Sequence, residues 1–317
     1  MRSSAASDSQ AREAISERLA AGITRAMSRA MLRLVIRAGV PVDRRRARYE
    51  RICGMSAKPR GVDYDTGTTH GGVPGESVTQ KGPAQSARTI LYLHGGGYCI
   101  GSAAASRVIT GNLAQRCDAE VFAANYRLAP EFPFPAALDD ALAAYRGLLD
   151  AGVAPRMAVI AADSAGAGLA VATSVQVRDL GLPQPAALVL MSPWVDLDPA
   201  ALGPDPSGDV LSRGFVAECA IQYLAGHSAE DPLASPIHAD LRGLPPTLIQ
   251  VGGDELLLTH ARRLAAALQA AGVTVELQEY PRRWHVFQIN APTVAAARGA
   301  LDAAASFVSS HVNPTAG

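Results

Sequence analysis

Beyond residue 88 the chain alternates between two hydrophobic rhythms. Short segments at 89–93, 120–125, 157–161, 186–191, 247–251 and 274–280 read as strands, most of them apolar at successive positions. Between them, segments at 102–116, 136–149, 165–179, 260–271 and 293–308 carry apolar side chains at helical spacing. A strand that is apolar on both faces must be covered on both. Strands of that kind alternating with amphipathic helices therefore predict an α/β fold with a mostly parallel central sheet and helices on both faces. Two earlier segments, 61–69 and 75–79, predict short strands separated by a glycine-rich turn.

Two stretches stand outside this rhythm. The first is a helical pattern over residues 11–37, ended by Gly39 and Pro41. Ile15, Leu19, Ile23, Met27, Met31 and Val35 recur every four positions, while Arg18, Arg25, Arg29, Arg33 and Arg37 fall on another face. A single apolar stripe predicts a helix packed on the body with its arginines in solvent. The other reading of the same pattern is a helix lying on a membrane surface. Residues 1–10, small and polar, read as a mobile lead-in. The second stretch is the long connection between the strands at 186–191 and 247–251. It is rich in Pro, Gly and Asp and holds a helical patch near residues 215–224. That is too long for a simple crossover, so it reads as an insertion over the C-terminal edge of the sheet, where doubly wound folds bind ligands.

Composition sharpens this picture. Apolar residues make up 48% of the 317 residues and charged residues 18%, as expected for a chain that buries a large core. The 29 basic and 29 acidic residues cancel, which argues against a global electrostatic grip on nucleic acid. Charge is nevertheless unevenly spread: residues 1–60 hold 14 Lys and Arg against 5 Asp and Glu. No apolar run is long enough to span a bilayer, and Arg33 and Arg37 interrupt the one segment resembling a signal core, so a cytoplasmic location is expected. Cys53, Cys99, Cys117 and Cys219 are far apart without a CxxC pair and read as free thiols. No His/Cys cluster has metal-ligand spacing, and no cofactor or metal is expected.

The chemistry centres on Ser164. An apolar strand runs through Ala162 and Asp163 to the serine and out into an Ala/Gly-rich helix beginning Ala165-Gly166-Ala167-Gly168. A serine on such a strand-to-helix turn is held up at the sheet edge, with a helix N-terminus beneath it. The motif alone also fits a serine that merely caps a helix. The second piece is His94-Gly95-Gly96-Gly97, directly after a strand. Consecutive glycines free backbone N–H groups to face a ligand. The N–H groups of Gly96 and Gly97, with that of Ala165, could hold the oxyanion of a tetrahedral intermediate. The loop lacks the spacing of a phosphate-binding loop.

A serine nucleophile needs a base and an orienting acid, which follow it in that order of acid then base in this architecture. Asp254 lies just past the strand at 247–251, and His285 lies in the loop after the strand at 274–280. Asp196 is the runner-up acid; Asp163, next to the nucleophile, would point away from it. Among the other histidines, His260 falls on a helix, His311 at the tail, His227 and His238 in the insertion and His70 in an early loop.

With these pieces in order, the chain resembles the hormone-sensitive lipase family of α/β-hydrolases, the bacterial family IV carboxylesterases. The resemblance is carried by His94-Gly95-Gly96-Gly97-Tyr98; by Asn125-Tyr126-Arg127-Leu128-Ala129-Pro130-Glu131, continued by Phe134-Pro135-Ala136-Ala137-Leu138-Asp139-Asp140; by Asp163-Ser164-Ala165-Gly166; and by Ser192-Pro193-Trp194-Val195-Asp196-Leu197. It runs from about residue 60 to the C-terminus. It implies a serine carboxylesterase with Ser164, Asp254 and His285 as triad and Gly96, Gly97 and Ala165 as oxyanion donors. It also implies a helical cap made of residues 1–50 and the insertion at 195–240, over a core of residues 51–194 and 241–317. Ala162 and Ala167 stand where the family usually has glycine, Val286 follows the histidine in place of the commoner glycine, and Leu258 stands where an acid often follows the triad acid.

Met27, Met31, Leu34, Phe215, Ile221, Tyr223 and Leu224 are candidates for an apolar acyl pocket, and each also fits a core role. The resemblance implies small ester substrates with acyl chains of about four to eight carbons. Lactones and amides are alternatives through the same chemistry, and a non-catalytic small-molecule receptor is a further one that the intact His285 argues against. A homodimer along the last strand and helix is common among proteins of this resemblance.

Overall fold

The computed structural model describes residues 2–36, 40–82 and 87–312, with side chains described from residue 17. It opens with two helices, α1 (Arg2–Val35) and α2 (Val42–Gly54), and three strands, β1 (Val62–Asp65), β2 (Thr69–His70) and β3 (Val73–Gln80). Then come β4 (Arg88–Leu93), α3 (Arg107–Arg116), β5 (Ala119–Ala124), α4 (Ala136–Asp150), β6 (Ala158–Asp163), α5 (Ala165–Asp179) and β7 (Ala187–Met191). A long connection carrying α6 (Arg213–Leu224) leads to β8 (Thr247–Gly252), α7 (Leu258–Ala270), β9 (Val275–Tyr280) and α8 (Ala295–His311).

The sheet runs β1-β3-β5-β4-β6-β7-β8-β9, with β2 paired to β3. The six strands from β5 to β9 in that order are mutually parallel, and β1 and β3 are antiparallel additions at one edge. Every residue of β6, β7 and β8 is buried. That is the burial expected of strands covered on both faces. Two apolar clusters result, one on each side of the sheet. The first takes in Leu91, Ile160, Leu190 and Ile249; the second takes in Ile90, Val159, Val189 and Leu248. Neighbouring residues of one strand thus enter opposite clusters, as the two-residue side-chain period dictates.

α5 buries 12 of its 15 residues. Its Ala and Gly content lets its backbone approach the sheet closely. A Cβ on Gly166 would lie 2.1 Å from the Leu93 carbonyl oxygen, so no other residue fits there. Ala162 and Ala167 are fully buried and neither has a positive φ, so neither position requires glycine's backbone freedom.

The N-terminal region departs from expectation in three ways. α1 begins at Arg2, so the first residues are part of a helix. A second helix, α2, follows, absent from the predicted elements; Val42, Tyr49, Ile52 and Cys53 turn inward at helical spacing, with Arg45 on the same face. The apolar stripe of α1 packs on the body only at its C-terminal end, where Val35 is buried and Met31 half-buried against the cavity; Leu19 is 63% exposed, Ile23 62% and Met27 55%, and the side chain of Ile15 lies outside the described residues. Before that end, the inward face holds the buried Ala21 and polar groups with fixed partners. Arg25 donates to Asp254 and to the carbonyl of Gly208, Arg29 donates to the carbonyl of Ser207, and Glu17 pairs with Arg283. Those bonds set the rotation of the helix, which periodicity alone could not.

Among the described residues no helix is long and apolar enough to cross a membrane, and all four cysteines are free and buried.

Candidate active site

Ser164 sits between β6 and α5 with φ 54° and ψ −121°. A non-glycine residue in that region is strained, and the surroundings hold it there. Its N–H donates to the carbonyl of Met191 at 2.9 Å, and its own carbonyl accepts from Trp194 at 3.1 Å. Its Oγ lies 2.8 Å from Nε2 of His285. The serine is therefore no mere helix cap: its side chain makes no capping bond to the helix it precedes.

Beside it runs the loop after β4. Gly96 has φ +120° and Gly97 φ +62°, and a Cβ on Gly96 would overlap the carbonyl of Ile100. Gly96 and Gly97 line the cavity next to Ser164, and Ala165 is the fully buried first residue of α5. Among the described residues no hydrogen bond takes up the N–H of Gly96, Gly97 or Ala165.

Asp163 explains how this loop is held. Its carboxylate accepts from the Tyr92 hydroxyl at 2.5 Å and from the Gly95 N–H at 2.9 Å, tying the loop to the residue preceding the nucleophile. Burial pushes its carboxyl above the usual range, against the pull of those donors. His94 stacks on Tyr126, with ring centroids 4.3 Å apart, and bonds the Gly95 carbonyl. Burial pushes it down to about 4, so it stays neutral. The Asn125–Glu131 signature is scaffold around this loop. Asn125 accepts from the Ala103 N–H, the Tyr126 hydroxyl donates to the His94 carbonyl, and Glu131 pairs with Arg46 of α2.

The acid side differs from expectation. Asp254 does not meet His285: its carboxylate is 36% exposed and bonded to Arg25 of α1 at 2.6 Å. The carboxylate beside His285 is that of the next residue, Glu255. Its Oε1 lies 3.7 Å from Nδ1 of His285, an ion-pair rather than hydrogen-bond separation, and neither atom has another partner. Its Oε2 accepts from the Ser192 hydroxyl at 2.8 Å and the Gly252 N–H at 2.9 Å. In the turn after β8, consecutive side chains point in opposite directions, outward to α1 for Asp254 and inward for Glu255. Distance past a strand end does not distinguish them.

Burial raises the Glu255 carboxyl, although the neighbouring imidazole pulls it down. Burial also lowers His285, but Glu255, Asp209 and Asp163 outweigh it, and the net shift is upward. Asp196, the runner-up acid, is committed elsewhere: it pairs with Arg263 at 2.8 Å. His260 is buried on α7, away from Ser164, and burial pushes it down to about 4. His70, His227 and His311 pack against Phe122, Phe134 and Phe307.

Two residues that the chain pattern did not reveal complete the acid side. Ser192, at φ +52°, donates to Glu255 and accepts from the Val286 N–H at 3.0 Å. Asp209, buried in the insertion, accepts from the His285 N–H at 2.9 Å, the Leu256 N–H at 2.8 Å and the Val210 N–H at 2.7 Å. It thereby clamps the histidine loop to the glutamate turn. Ser192 belonged to a recognisable motif; Asp209 sits in a loop with no periodicity, so nothing in the sequence singled it out.

Above Ser164 lies a cavity of about 430 Å³. Met27, Met31 and Phe215 line it as expected, joined by Ile52 and Cys53 of α2 and by Trp194. Leu34 and Ile221 face solvent, while Tyr223 and Leu224 lie in the core, Tyr223 stacked on Tyr98. Among the described residues no cluster of His, Cys, Asp and Glu could hold a metal ion.

A strained serine after a parallel strand, a histidine on its hydroxyl and a glycine loop at the same sheet edge define an α/β-hydrolase. The family model for the alpha/beta hydrolase fold matches residues 90–289. An acetyl-hydrolase of Streptomyces hygroscopicus is 42% identical over 266 residues, covering 79% of this chain and 89% of its own. A solved esterase from the bacterial hormone-sensitive lipase family superposes with TM-score 0.83 at 37% identity, covering 91% of this chain and 98% of its own. The esterase EstE5, in a crystal soaked with p-nitrophenyl butyrate, superposes with TM-score 0.80 at 35% identity, covering 90% and 98%. The chain belongs to the hormone-sensitive lipase family of α/β-hydrolases and is a carboxylic ester hydrolase.

Proposed function

We propose that the protein hydrolyses short- to medium-chain carboxylic esters through an acyl-enzyme, with Ser164 as nucleophile, His285 as general base and Glu255, in place of Asp254, as orienting acid. The observation that carries this reading is the 2.8 Å contact between Ser164 Oγ and His285 Nε2 at the floor of an apolar cavity. His285 takes the serine proton as Oγ attacks the ester carbonyl. The free N–H groups of Gly96, Gly97 and Ala165 receive the oxyanion. His285 protonates the leaving alcohol, and water repeats the sequence on the acyl-enzyme. Glu255 holds the imidazole in the tautomer with a proton on Nδ1 and stabilises the imidazolium. Residues of α1, α2 and the insertion serve as the cap that bounds the acyl chain.

A cavity of this size, open at one side, supports acyl chains of about four to eight carbons. The related EstE5 was soaked with p-nitrophenyl butyrate, a four-carbon ester at the short end of this range. The test is a p-nitrophenyl ester series from acetate to palmitate, read with the wild-type chain and Ser164→Ala. Activity that peaks at butyrate to octanoate and vanishes in the variant is the expected result. A folded protein inactive on every ester, but active on lactones or amides, would reassign the substrate; inactivity on all three would leave the receptor reading.

A further inference from the structure

We infer that the outward face of α1 docks on an anionic lipid surface, bringing the mouth of the substrate cavity against it. The outward positions of this helix, from residue 18 to 34, are Arg18, Leu19, Gly22, Ile23, Ala26, Met27, Ala30, Arg33 and Leu34, all of them exposed. Leu19, Ile23, Met27 and Leu34 make an apolar stripe facing solvent, and Leu34 alone is 61% exposed. Of the eight large apolar side chains exposed among the described residues, these are four; Met55 is a fifth. Met27 and Met55 also line the cavity, so the stripe is continuous with its rim. An exposed contiguous apolar patch of this kind marks an interaction site rather than ordinary surface.

Charge selects the occupant. Arg18 and Arg33 flank the stripe, and neither makes an ion pair among the described residues. Glu17, the acid at the edge of this face, is turned inward to Arg283 and to the N–H groups of Ala295 and Ala296. Residues 17–60 carry 12 Lys and Arg against 3 Asp and Glu. An apolar stripe bordered by unpaired arginines suits a helix lying in the headgroup region of an anionic bilayer. A second copy of the chain would bring the same cationic face against itself. A lipid surface also places the cavity mouth where apolar esters partition.

The experiment is co-sedimentation of the full chain with vesicles of phosphatidylcholine alone, or mixed with phosphatidylglycerol, at low and high salt. Binding to the mixed vesicles, weakened by salt and absent on phosphatidylcholine, is expected. Leu19→Gln/Ile23→Gln should lower the bound fraction at least about tenfold. Arg18→Gln/Arg33→Gln should weaken binding and remove its salt dependence. Both variants should keep wild-type turnover of soluble p-nitrophenyl butyrate, because these side chains lie outside the cavity lining. Failure of the wild type to bind mixed vesicles at low salt, or unchanged binding by both variants, overturns the inference. A dimer in sedimentation equilibrium that Leu19→Gln/Ile23→Gln converts to monomer, without vesicle binding, assigns the face to a second copy instead. Vesicle binding is read without turnover, so this outcome is independent of the ester-hydrolysis reading.

Discussion

On the nucleophile side of the site, backbone sets the geometry. β6 delivers Ser164 into a positive-φ turn, Gly166 admits the Leu93 carbonyl, and the Gly96-Gly97 loop follows β4 directly. On the acid side, side chains from separate segments set it. Glu255 comes from the turn after β8, His285 from the loop after β9, Ser192 from the end of β7 and Asp209 from the insertion. Sharp turns and close backbone approaches that demand glycine or small side chains leave a short, local signature. A cluster of carboxylates, hydroxyls and amides drawn from four loops leaves none, because each residue type is ordinary in its own loop.

That contrast can be broken or sharpened by mutation. Ser164→Ala, on the backbone-defined side, should reduce kcat by about 10⁴–10⁶ while leaving the fold intact. A smaller loss would remove serine from the role of nucleophile. On the acid side, Glu255→Gln should cost about 10³–10⁴ in kcat, because the amide no longer stabilises the imidazolium or selects its tautomer. Asp254→Asn is the decisive partner measurement. Its bond to Arg25 is partly exposed to solvent, so kcat should change less than about threefold and stability by less than about 1 kcal/mol. Reversal of the two results would restore Asp254 as the acid.

Asp209→Asn should act through the histidine rather than on substrate. Both carboxylate oxygens accept from N–H groups, whereas an amide has a single accepting oxygen and turns an NH₂ toward a donor. We expect kcat about tenfold lower with KM nearly unchanged. The pH profile separates positioning from mere packing. In the wild type, kcat/KM should fall as pH drops through the pKa of His285, which is raised above the ordinary histidine value, because the protonated imidazole cannot accept the serine proton. Removing the Asp209 charge takes away one cause of that rise, so the acid limb should move to lower pH. An unmoved limb would reduce Asp209 to a structural role.

The α/β architecture, the elbow serine, the glycine loop and the histidine were legible because each depends on local rules. These are the two periodicities of buried strands and helices, the conformational freedom of glycine, and the chain order of groups at one sheet edge. The direction of a side chain within a turn and the rotation of a helix about its own axis are not local. Asp254 and Glu255 are adjacent acids past the same strand, and only the packing of α1 and the insertion around them turns one to Arg25 and the other to His285. The stripe of α1 reads as a core face by periodicity. The bonds of Glu17, Arg25 and Arg29 to distant segments go with a rotation that leaves Leu19, Ile23 and Met27 in solvent while Val35 stays buried. The amino-acid pattern determined which elements form and where the nucleophile stands. Contacts between segments far apart in the chain, which no local pattern encodes, decided which neighbouring group completes the site.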